Sequence, residues 1–196
     1  MRNYSIAVIP GDGIGKEICP EGLKALRAAE AVTGAFRLHV EPFPWGSEYF
    51  QAHGEMMAPD GLQRLAQFDA IYFGAVGFPT VPDDISLHGL RLPICQGFEQ
   101  YANVRPSLLL PGVAGALCGK GVGDIDFVVV RENTEGEYTG AGGRVHRGQP
   151  SEMALETSVF TRAGVKRVMR YAFELAQSRP RKRLASVTKS NAQRHT

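Results

Sequence analysis

An arginine and a tyrosine with complementary chemistry stand seven residues apart in the segment RENTEGEY, residues 131–138. Arg131 follows the apolar run Ile125–Val130, which predicts a buried strand, so its guanidinium is expected at a strand end. A planar guanidinium at that place suits a bidentate contact with a carboxylate. The Tyr138 phenol can donate or accept one proton. The segment therefore predicts a site that binds an acid and moves its protons.

Two further cations extend this candidate site. Arg105 precedes Pro106, which favours an extended backbone and so a fixed place on a strand. Lys189 follows the apolar run Leu184–Thr188, which predicts a last strand. Taken singly, a surface arginine, a solvated lysine and a packed tyrosine are the more common roles of such residues. Together these residues occupy strand-end positions, where ligands bind in α/β proteins, and they indicate a small polyacid as the ligand.

Composition and charge exclude several classes of protein. The chain has 196 residues, 43% hydrophobic content and a formal net charge of +2, so no strong attraction to nucleic acid or to a membrane is expected. The basic run Arg179–Arg183 is interpreted as a solvated helix end, with a nucleic-acid patch or targeting signal as the alternative. No apolar stretch has the length of a signal-peptide core or a membrane span.

The cysteines indicate the cellular compartment, and the spacing of the histidines bears on whether the chain binds zinc. Cys19, Cys95 and Cys118 are odd in number and form no CxxC pair, which predicts free thiols in a reducing, cytoplasmic environment. The five histidines show no HxH, HxxxH or CxxH spacing, so no zinc site is expected. A GxSxG nucleophile elbow is also absent, which argues against an α/β-hydrolase.

The order of the predicted elements indicates an α/β fold. The predicted strands are Ile6–Ile9, Phe36–Val40, Ala70–Ala75, Asn103–Leu110, Ile125–Arg131, Glu152–Phe160 and Leu184–Thr188. The predicted helices are Lys16–Thr33, Ser47–Ala52, Asp60–Gln67, Cys95–Ala102 and Thr161–Ser178. The opening β-α-β-α-β order is typical of a largely parallel sheet covered by helices. Two stretches are expected to be loops, namely Gly77–Pro93 and the glycine-rich segment around Gly140, Gly142 and Gly143.

The loop PGDGIGK after the first strand invites a phosphate-binding interpretation. A GxGxxG fingerprint from Gly11 needs glycine where Lys16 stands. A P-loop needs glycine where Pro10 stands, and serine or threonine where Glu17 stands. A tight strand-to-helix turn is the favoured interpretation. The alternative is that backbone N–H groups of the loop approach a ligand.

Four segments of the chain together resemble one enzyme family. They are IAVIPGDGIGKEI near the start, YANVRPSLLLPGV at 101–113, VVVRENTEGEYTGAGG at 128–143 and SVTKSNAQRH at 186–195. The chain resembles the β-decarboxylating dehydrogenases, or isocitrate/isopropylmalate dehydrogenase family, and within it most the tartrate/D-malate dehydrogenase branch. The resemblance covers essentially the whole chain. It implies an isopropylmalate-dehydrogenase-like α/β sandwich with a mixed, largely parallel sheet, truncated on its C-terminal side.

The resemblance implies a role for each candidate site residue. Arg105 and Arg131 would bind the substrate's carboxylates, and Tyr138 would protonate the enol formed after carbon dioxide leaves. Lys189 would assist removal of the hydroxyl proton, and the functional homodimers of this family supply that lysine across the subunit interface. Asn191 would approach the nicotinamide. The implied activity is NAD-linked oxidation of a small 2-hydroxy diacid such as tartrate or D-malate, usually with decarboxylation, assisted by Mg²⁺ or Mn²⁺.

Two departures from the family pattern limit these expectations. The family carries an arginine ten residues before the one that matches Arg105; Cys95 stands there instead, and Arg91 is the candidate for its charge. Family chains also continue past Thr196, so the metal-binding aspartates and most of the adenosine-binding loop are expected beyond this chain. No metal ligand is therefore expected within it, and by itself it is expected to be inactive. The adenosine-binding loop that selects NAD or NADP is among the parts expected beyond it.

The chain is expected to contain parts of two domains, and two alternative functions stay open. Residues 1–100 are expected to form an N-terminal α/β domain that is incomplete on its own, and residues 101–196 the start of a central substrate-binding and dimerisation domain. An isopropylmalate or isocitrate dehydrogenase is the alternative within the family. A non-catalytic fragment or binding protein is the alternative outside it.

Overall fold

The chain divides into two compact units, which are described separately. The computed structural model describes all residues, Met1–Thr196, and the units are Met1–Gly97 and Phe98–Thr196. No helix is long and apolar enough to cross a lipid bilayer. All three cysteines are free thiols, as the sequence predicts.

The first unit is built on a three-stranded parallel sheet in the order β2-β1-β3. Its strands are β1 (Arg2–Gly11), β2 (Phe36–Pro42) and β3 (Ala70–Ala75). The central strand β1 is buried at Ala7, Val8 and Ile9, as expected of a parallel strand with a neighbour on each side. The predicted parallel pairing is confirmed.

Three helices connect these strands, and the long one packs against the sheet. They are α1 (Gly15–Thr33), α2 (Ser47–His53) and α3 (Gly61–Leu65). Helix α1 ends at Gly34, whose left-handed backbone (φ 59°) lets its N–H donate to the Glu30 carbonyl at 3.0 Å. The predicted glycine stop is therefore confirmed.

The prediction of a long loop over Gly77–Pro93 is wrong, because much of this stretch is helical. The elements are α4 (Asp83–Ser86), a π-helical turn (Leu87–Arg91) and α5 (Leu92–Gly97). The Leu92 N–H donates to the Leu87 carbonyl, five residues earlier, which is the hydrogen bond of a π-helix. Leu90 and Leu92 are buried. Burial of apolar side chains therefore overrides the glycine and proline content that suggested a loop.

The second unit contains two antiparallel strand pairs and one long helix. The elements are β4 (Ala102–Leu108), β5 (Asp126–Glu132), β6 (Gly136–Val145), β7 (Met153–Val159) and α6 (Arg162–Ser178). Strand β4 pairs with β5, strand β6 pairs with β7, and α6 packs against β5. Thr161 caps α6, because its hydroxyl accepts a hydrogen bond from the Gly164 N–H at 2.9 Å.

Two predictions for the second unit are wrong. The glycine-rich segment lies in strand β6 rather than in a loop. A Cβ at Gly142 would lie 2.2 Å from the Leu155 carbonyl oxygen on β7, so glycine permits the close approach of these strands. The apolar run Leu184–Thr188 forms no strand. Such a run becomes a strand only when a neighbour pairs with its N–H and C=O groups, and none does.

Candidate active site

Strands β4 and β5 place Arg105 and Arg131 on one face of their sheet. Asn103 lies opposite Arg131, and Arg105 lies opposite Val129. Opposite residues, and residues two apart on one strand, point to the same face. The two arginines are therefore diagonal neighbours, and Cα atoms in such pairs are about 7–8 Å apart. Arg105 is exposed and Arg131 is half-buried.

Arg131 also contacts Tyr138. Its Nη2 donates a hydrogen bond to the tyrosine hydroxyl, and its Cζ lies 4.8 Å from the centre of the tyrosine ring. Both side chains are partly buried, a setting in which a cation near a ring face is stabilised more than at an exposed site. The structure thus brings together the arginine and the phenol that the sequence singled out.

The turn between strands β5 and β6 is held by the Glu132 carboxylate. This group accepts hydrogen bonds from the N–H and the hydroxyl of Thr134 at 2.7 and 2.9 Å, and from the Glu135 N–H at 2.5 Å. Gly136 follows with a φ of 73°, a backbone conformation that glycine adopts without strain. Glu132 and Gly136 therefore define the shape of the turn.

Glu135 ties this turn to the start of helix α6. Its carboxylate accepts hydrogen bonds from the N–H and the hydroxyl of Thr161 at 2.9 and 2.6 Å. The hydrogen bond from the Thr161 hydroxyl, with the Thr161 N–H and the nearby charge of Arg167, lowers the pKa of Glu135. Gly164 leaves room for this contact, since a Cβ there would lie 2.2 Å from the Glu135 carboxyl group.

Arg167 contacts the same turn from helix α6. Its Nη2 donates to the Thr134 hydroxyl at 2.8 Å and lies 3.7 Å from the Glu132 carboxylate. On its other side, the Arg167 Cζ lies 4.9 Å from the centre of the Tyr101 ring. The sequence interpretation did not single out Arg167, Glu132 or Glu135. Thr161 at the predicted start of α6 is a residue type that favours a helix cap, but it contacts Glu135 and gives no signal for Arg167.

The remaining predicted site residues lie on other elements. Arg91 belongs to the first unit, where it is half-buried on the π-helical turn, four residues before the buried Cys95. Lys189 and Asn191 are exposed and follow the last helix. The N–H groups of Ala192 and Gln193 donate to the Lys189 carbonyl, which forms one turn there. The roles of Arg91, Lys189 and Asn191 stay predictions.

The loop PGDGIGK is a closely packed strand-to-helix turn. Asp12 is 2% exposed, and its carboxylate accepts hydrogen bonds from the Ser47 N–H, the Ser47 hydroxyl and the Gly77 N–H at 2.7, 2.8 and 3.0 Å. A Cβ at Gly15 would lie 2.1 Å from the Pro10 carbonyl oxygen. Packing therefore accounts for Asp12 and Gly15, in agreement with the favoured interpretation of a tight turn.

The acidic side chains do not fit a divalent cation site. No three His, Cys, Asp or Glu side chains come together in a way that could hold a metal ion. Glu137, which directly precedes Tyr138, accepts a hydrogen bond from the Ser158 hydroxyl at 3.4 Å. Glu132 and Glu135, the other two carboxylates of RENTEGEY, already accept hydrogen bonds from N–H and O–H donors. These two acids therefore hold the protein's own turn together.

The parallel α/β unit and the unit that carries the arginine–tyrosine pair both lie within one family match. Residues 5–196 match the family model described as isocitrate/isopropylmalate dehydrogenase. The chain belongs to the isocitrate/isopropylmalate dehydrogenase family.

Two similar proteins show which members of the family the chain resembles. The chain is 62% identical over 195 residues to a probable tartrate dehydrogenase/decarboxylase, TtuC', of Agrobacterium vitis, a match that covers 100% of this chain and 54% of that protein. It is 58% identical over 193 residues to the decarboxylating D-malate dehydrogenase of Escherichia coli K12, covering 97% of this chain and 53% of that enzyme. The chain thus spans about half the length of these relatives.

A solved structure supports the same fold. The isocitrate dehydrogenase of Methylococcus capsulatus superposes with a TM-score of 0.77 at 28% identity, and the match covers 98% of this chain and 53% of that one. The predicted fold class, an isopropylmalate-dehydrogenase-like α/β architecture with a largely parallel sheet, is therefore confirmed.

Proposed function

We propose that this chain supplies the substrate-binding part of an NAD-linked dehydrogenase that oxidises tartrate, D-malate or a similar 2-hydroxy diacid, usually with decarboxylation. The observation that carries the proposal is the arrangement of Arg105, Arg131 and Tyr138. Two guanidiniums lie on one sheet face, and a phenol is hydrogen-bonded to one of them. The names of the similar Agrobacterium and Escherichia coli proteins support tartrate and D-malate as substrates.

In this proposal, Arg105 and Arg131 bind the two carboxylates of the substrate. Like charges on neighbouring strands repel each other, and a dianion held against both cations offsets that repulsion. The guanidinium has five N–H donors in a planar fork. Arg131 can therefore keep its hydrogen bond to Tyr138 while other N–H groups bind a carboxylate.

Tyr138 is the proposed proton donor to the enol that decarboxylation leaves. Its hydroxyl oxygen accepts the hydrogen bond from Arg131, so the phenol keeps its O–H group as a donor. After the proton is transferred, the positive charge of Arg131 stabilises the phenolate that remains. The pair therefore suits a phenol that gives up a proton and takes it back in each turnover.

The other roles rest on the family relationship alone. Lys189 would assist removal of the hydroxyl proton in the partner subunit of a homodimer, and Asn191 would contact the nicotinamide. The exposure of both side chains on their own chain is compatible with these roles. Arg91 would supply the charge that the family carries at the position of Cys95. NAD and either Mg²⁺ or Mn²⁺ are the proposed cofactors, and the described acidic side chains do not form the metal site by themselves.

The domain organisation and location complete the proposal. Residues 1–100 would be part of the N-terminal α/β domain, and residues 101–196 would begin the substrate-binding and dimerisation domain. The three free thiols support a cytoplasmic location. Neither a nucleic acid nor a membrane is a proposed partner.

Isocitrate is the second candidate substrate, because a solved isocitrate dehydrogenase shares the fold at a TM-score of 0.77. Its identity to this chain is 28%, against 62% and 58% for the tartrate and D-malate relatives. Tartrate and D-malate are therefore the favoured substrates.

The test uses a chimera, because the chain spans about half of its relatives. Residues 1–196 replace the matching segment of the Escherichia coli D-malate dehydrogenase, and NADH formation is measured with Mn²⁺ and each diacid. The proposal expects the highest kcat/KM with D-malate or tartrate. The highest kcat/KM with isocitrate or isopropylmalate would support the alternative substrates. A folded chimera without activity on any diacid would overturn the proposal.

A further inference from the structure

We infer that Arg167 is a positioning residue, which sets the geometry of the Arg131–Tyr138 pair through the turn between strands β5 and β6. Its effect on catalysis rests on the proposed function, whereas its effect on the pair does not. Arg167 is the sixth residue of helix α6, and it contacts the turn rather than the pair.

Strand pairing fixes Arg131 but not Tyr138. Arg131 lies in the regular ladder of β4 and β5, opposite Asn103. Strand β6 pairs with β7 at Gly136 and then again from Ala141, with a shift in register between these two positions. Tyr138 lies inside that irregular stretch. The position of its ring therefore depends on the turn that precedes it more than on the sheet.

Arg167 holds this turn through the Thr134 hydroxyl. That hydroxyl accepts a hydrogen bond from Arg167 Nη2 at 2.8 Å and donates one to the Glu132 carboxylate at 2.9 Å. A hydroxyl can do both at once, because it has one donor and two acceptor positions. The series Arg167–Thr134–Glu132 thus links helix α6 to the residue that directly follows Arg131.

The fork of an arginine suits this place better than a lysine. One guanidinium lies over the Tyr101 ring, donates to Thr134 and approaches the Glu132 carboxylate. A lysine ammonium is a point charge and does not reproduce this planar set of contacts. The Arg167 Nε is buried without a hydrogen-bond partner, which costs stability. Arg167 therefore contacts the turn in a position that leaves its own Nε–H group without a hydrogen bond.

A second anchor keeps the turn attached when Arg167 is removed. Glu135 accepts two hydrogen bonds from Thr161 at the start of α6, and neither involves Arg167. An Arg167→Ala protein should therefore fold, with a displaced Thr134 and Tyr138. Thr134→Val removes the hydrogen bond between Arg167 and the Thr134 hydroxyl, and leaves in place the Arg167–Tyr101 contact and the approach of Arg167 to Glu132.

Fluorine NMR of the 196-residue chain labelled with fluorotyrosine tests the structural claim. The chain has six tyrosines, and Tyr138→Phe assigns the signal of that residue. The inference expects the Tyr138 signal to shift or broaden in Arg167→Ala and in Thr134→Val. Arg170→Ala, which removes an exposed arginine of the same helix, should leave that signal unchanged. An unchanged Tyr138 signal in folded Arg167→Ala or in folded Thr134→Val would overturn the inference.

Kinetics in the chimera test the catalytic consequence. Arg167→Ala should lower kcat about tenfold and change the KM for D-malate less, because Arg131 is fixed by the sheet and Tyr138 is not. Guanidinium ion at non-denaturing concentration should restore part of the lost rate, and methylammonium should not. If Arg167→Ala lowers the stability but leaves kcat per folded enzyme unchanged, Arg167 has only a structural role and the inference fails. If the unsubstituted chimera is inactive, the proposed function fails while the NMR result still decides the positioning claim.

Discussion

The Arg131 guanidinium lies against the Tyr138 ring, with its Cζ 4.8 Å from the ring centre, and donates a hydrogen bond to the tyrosine hydroxyl. These residues are seven apart in sequence, and the turn between strands β5 and β6 brings them together. The cation proposed to bind a substrate carboxylate is thereby joined to the proposed proton donor.

Tyr138→Phe in the chimera should spare hydride transfer and slow the later proton transfer. The phenylalanine keeps the ring beside Arg131 but has no proton to give, and loss of a general acid typically costs about 10²–10⁴-fold. A pre-steady-state burst of NADH should persist, while the steady-state release of the protonated product falls. Equal loss of both steps would contradict the role of Tyr138 as proton donor.

Arg91→Ala should weaken substrate binding if Arg91 supplies the charge that is missing at Cys95. Loss of one cation from a diacid site should raise the KM of the chimera by about tenfold, equivalent to about 1.4 kcal/mol. Arg37→Ala, on an exposed face of β2, is the matched control. An unchanged KM for every diacid in Arg91→Ala would rule out this role.

The stability of the second unit should fall in acid through Glu135. The pKa of Glu135 is lowered in the folded protein, chiefly by the hydrogen bond from the Thr161 hydroxyl. The carboxylate form is thus favoured by folding, so its contribution is present above the ordinary pKa of glutamate. That contribution is lost as the pH falls through the lowered pKa of the folded state.

Urea unfolding followed by circular dichroism, repeated across the acid range, measures this dependence. Glu135→Gln should flatten the curve of unfolding free energy against pH. Glu156→Gln, at an exposed position of β7, should leave the curve as it is. The same slope in Glu135→Gln and in the unsubstituted chain would show that Glu135 does not control it.

The three thiols should differ in reactivity. Cys19 and Cys95 are buried, Cys118 is exposed, and burial raises the pKa of the Cys19 thiol. Because the thiolate is the reactive form, a thiol reagent should modify one cysteine quickly in the native chain and all three after unfolding. Cys118→Ser should remove the fast phase. Two or more fast thiols in the native chain would contradict the burial of Cys19 or Cys95.

The parts of the fold that follow a clear local pattern could be predicted from the sequence. Strand Ala70–Ala75 has the predicted bounds, and helix α6 begins one residue later than predicted, because Thr161 is its cap. Both have an uninterrupted apolar pattern of the right period. The helical part of Gly77–Pro93 was missed, because the glycine and proline content suggested a loop where tertiary packing buries apolar side chains.

The candidate site could be predicted only in part, for a similar reason. The proximity of Arg131 and Tyr138 follows from one short segment, and the sequence singled out both residues. The contribution of Arg167 depends on how helix α6 packs beside the turn, and its contact Thr134 is 33 residues away along the chain. Such a contact is set by tertiary packing and leaves no mark on local periodicity.

The kcat/KM of the chimera for D-malate, compared with that of its Arg131→Lys variant, tests the central claim most directly. Lysine keeps the charge but loses the fork that donates to the Tyr138 hydroxyl and is proposed to bind a carboxylate at the same time. We predict an active chimera and a loss of about 10²-fold or more in Arg131→Lys. An active chimera whose kcat/KM is the same in both forms would contradict the assignment of Arg131 and Tyr138 as the substrate-handling pair.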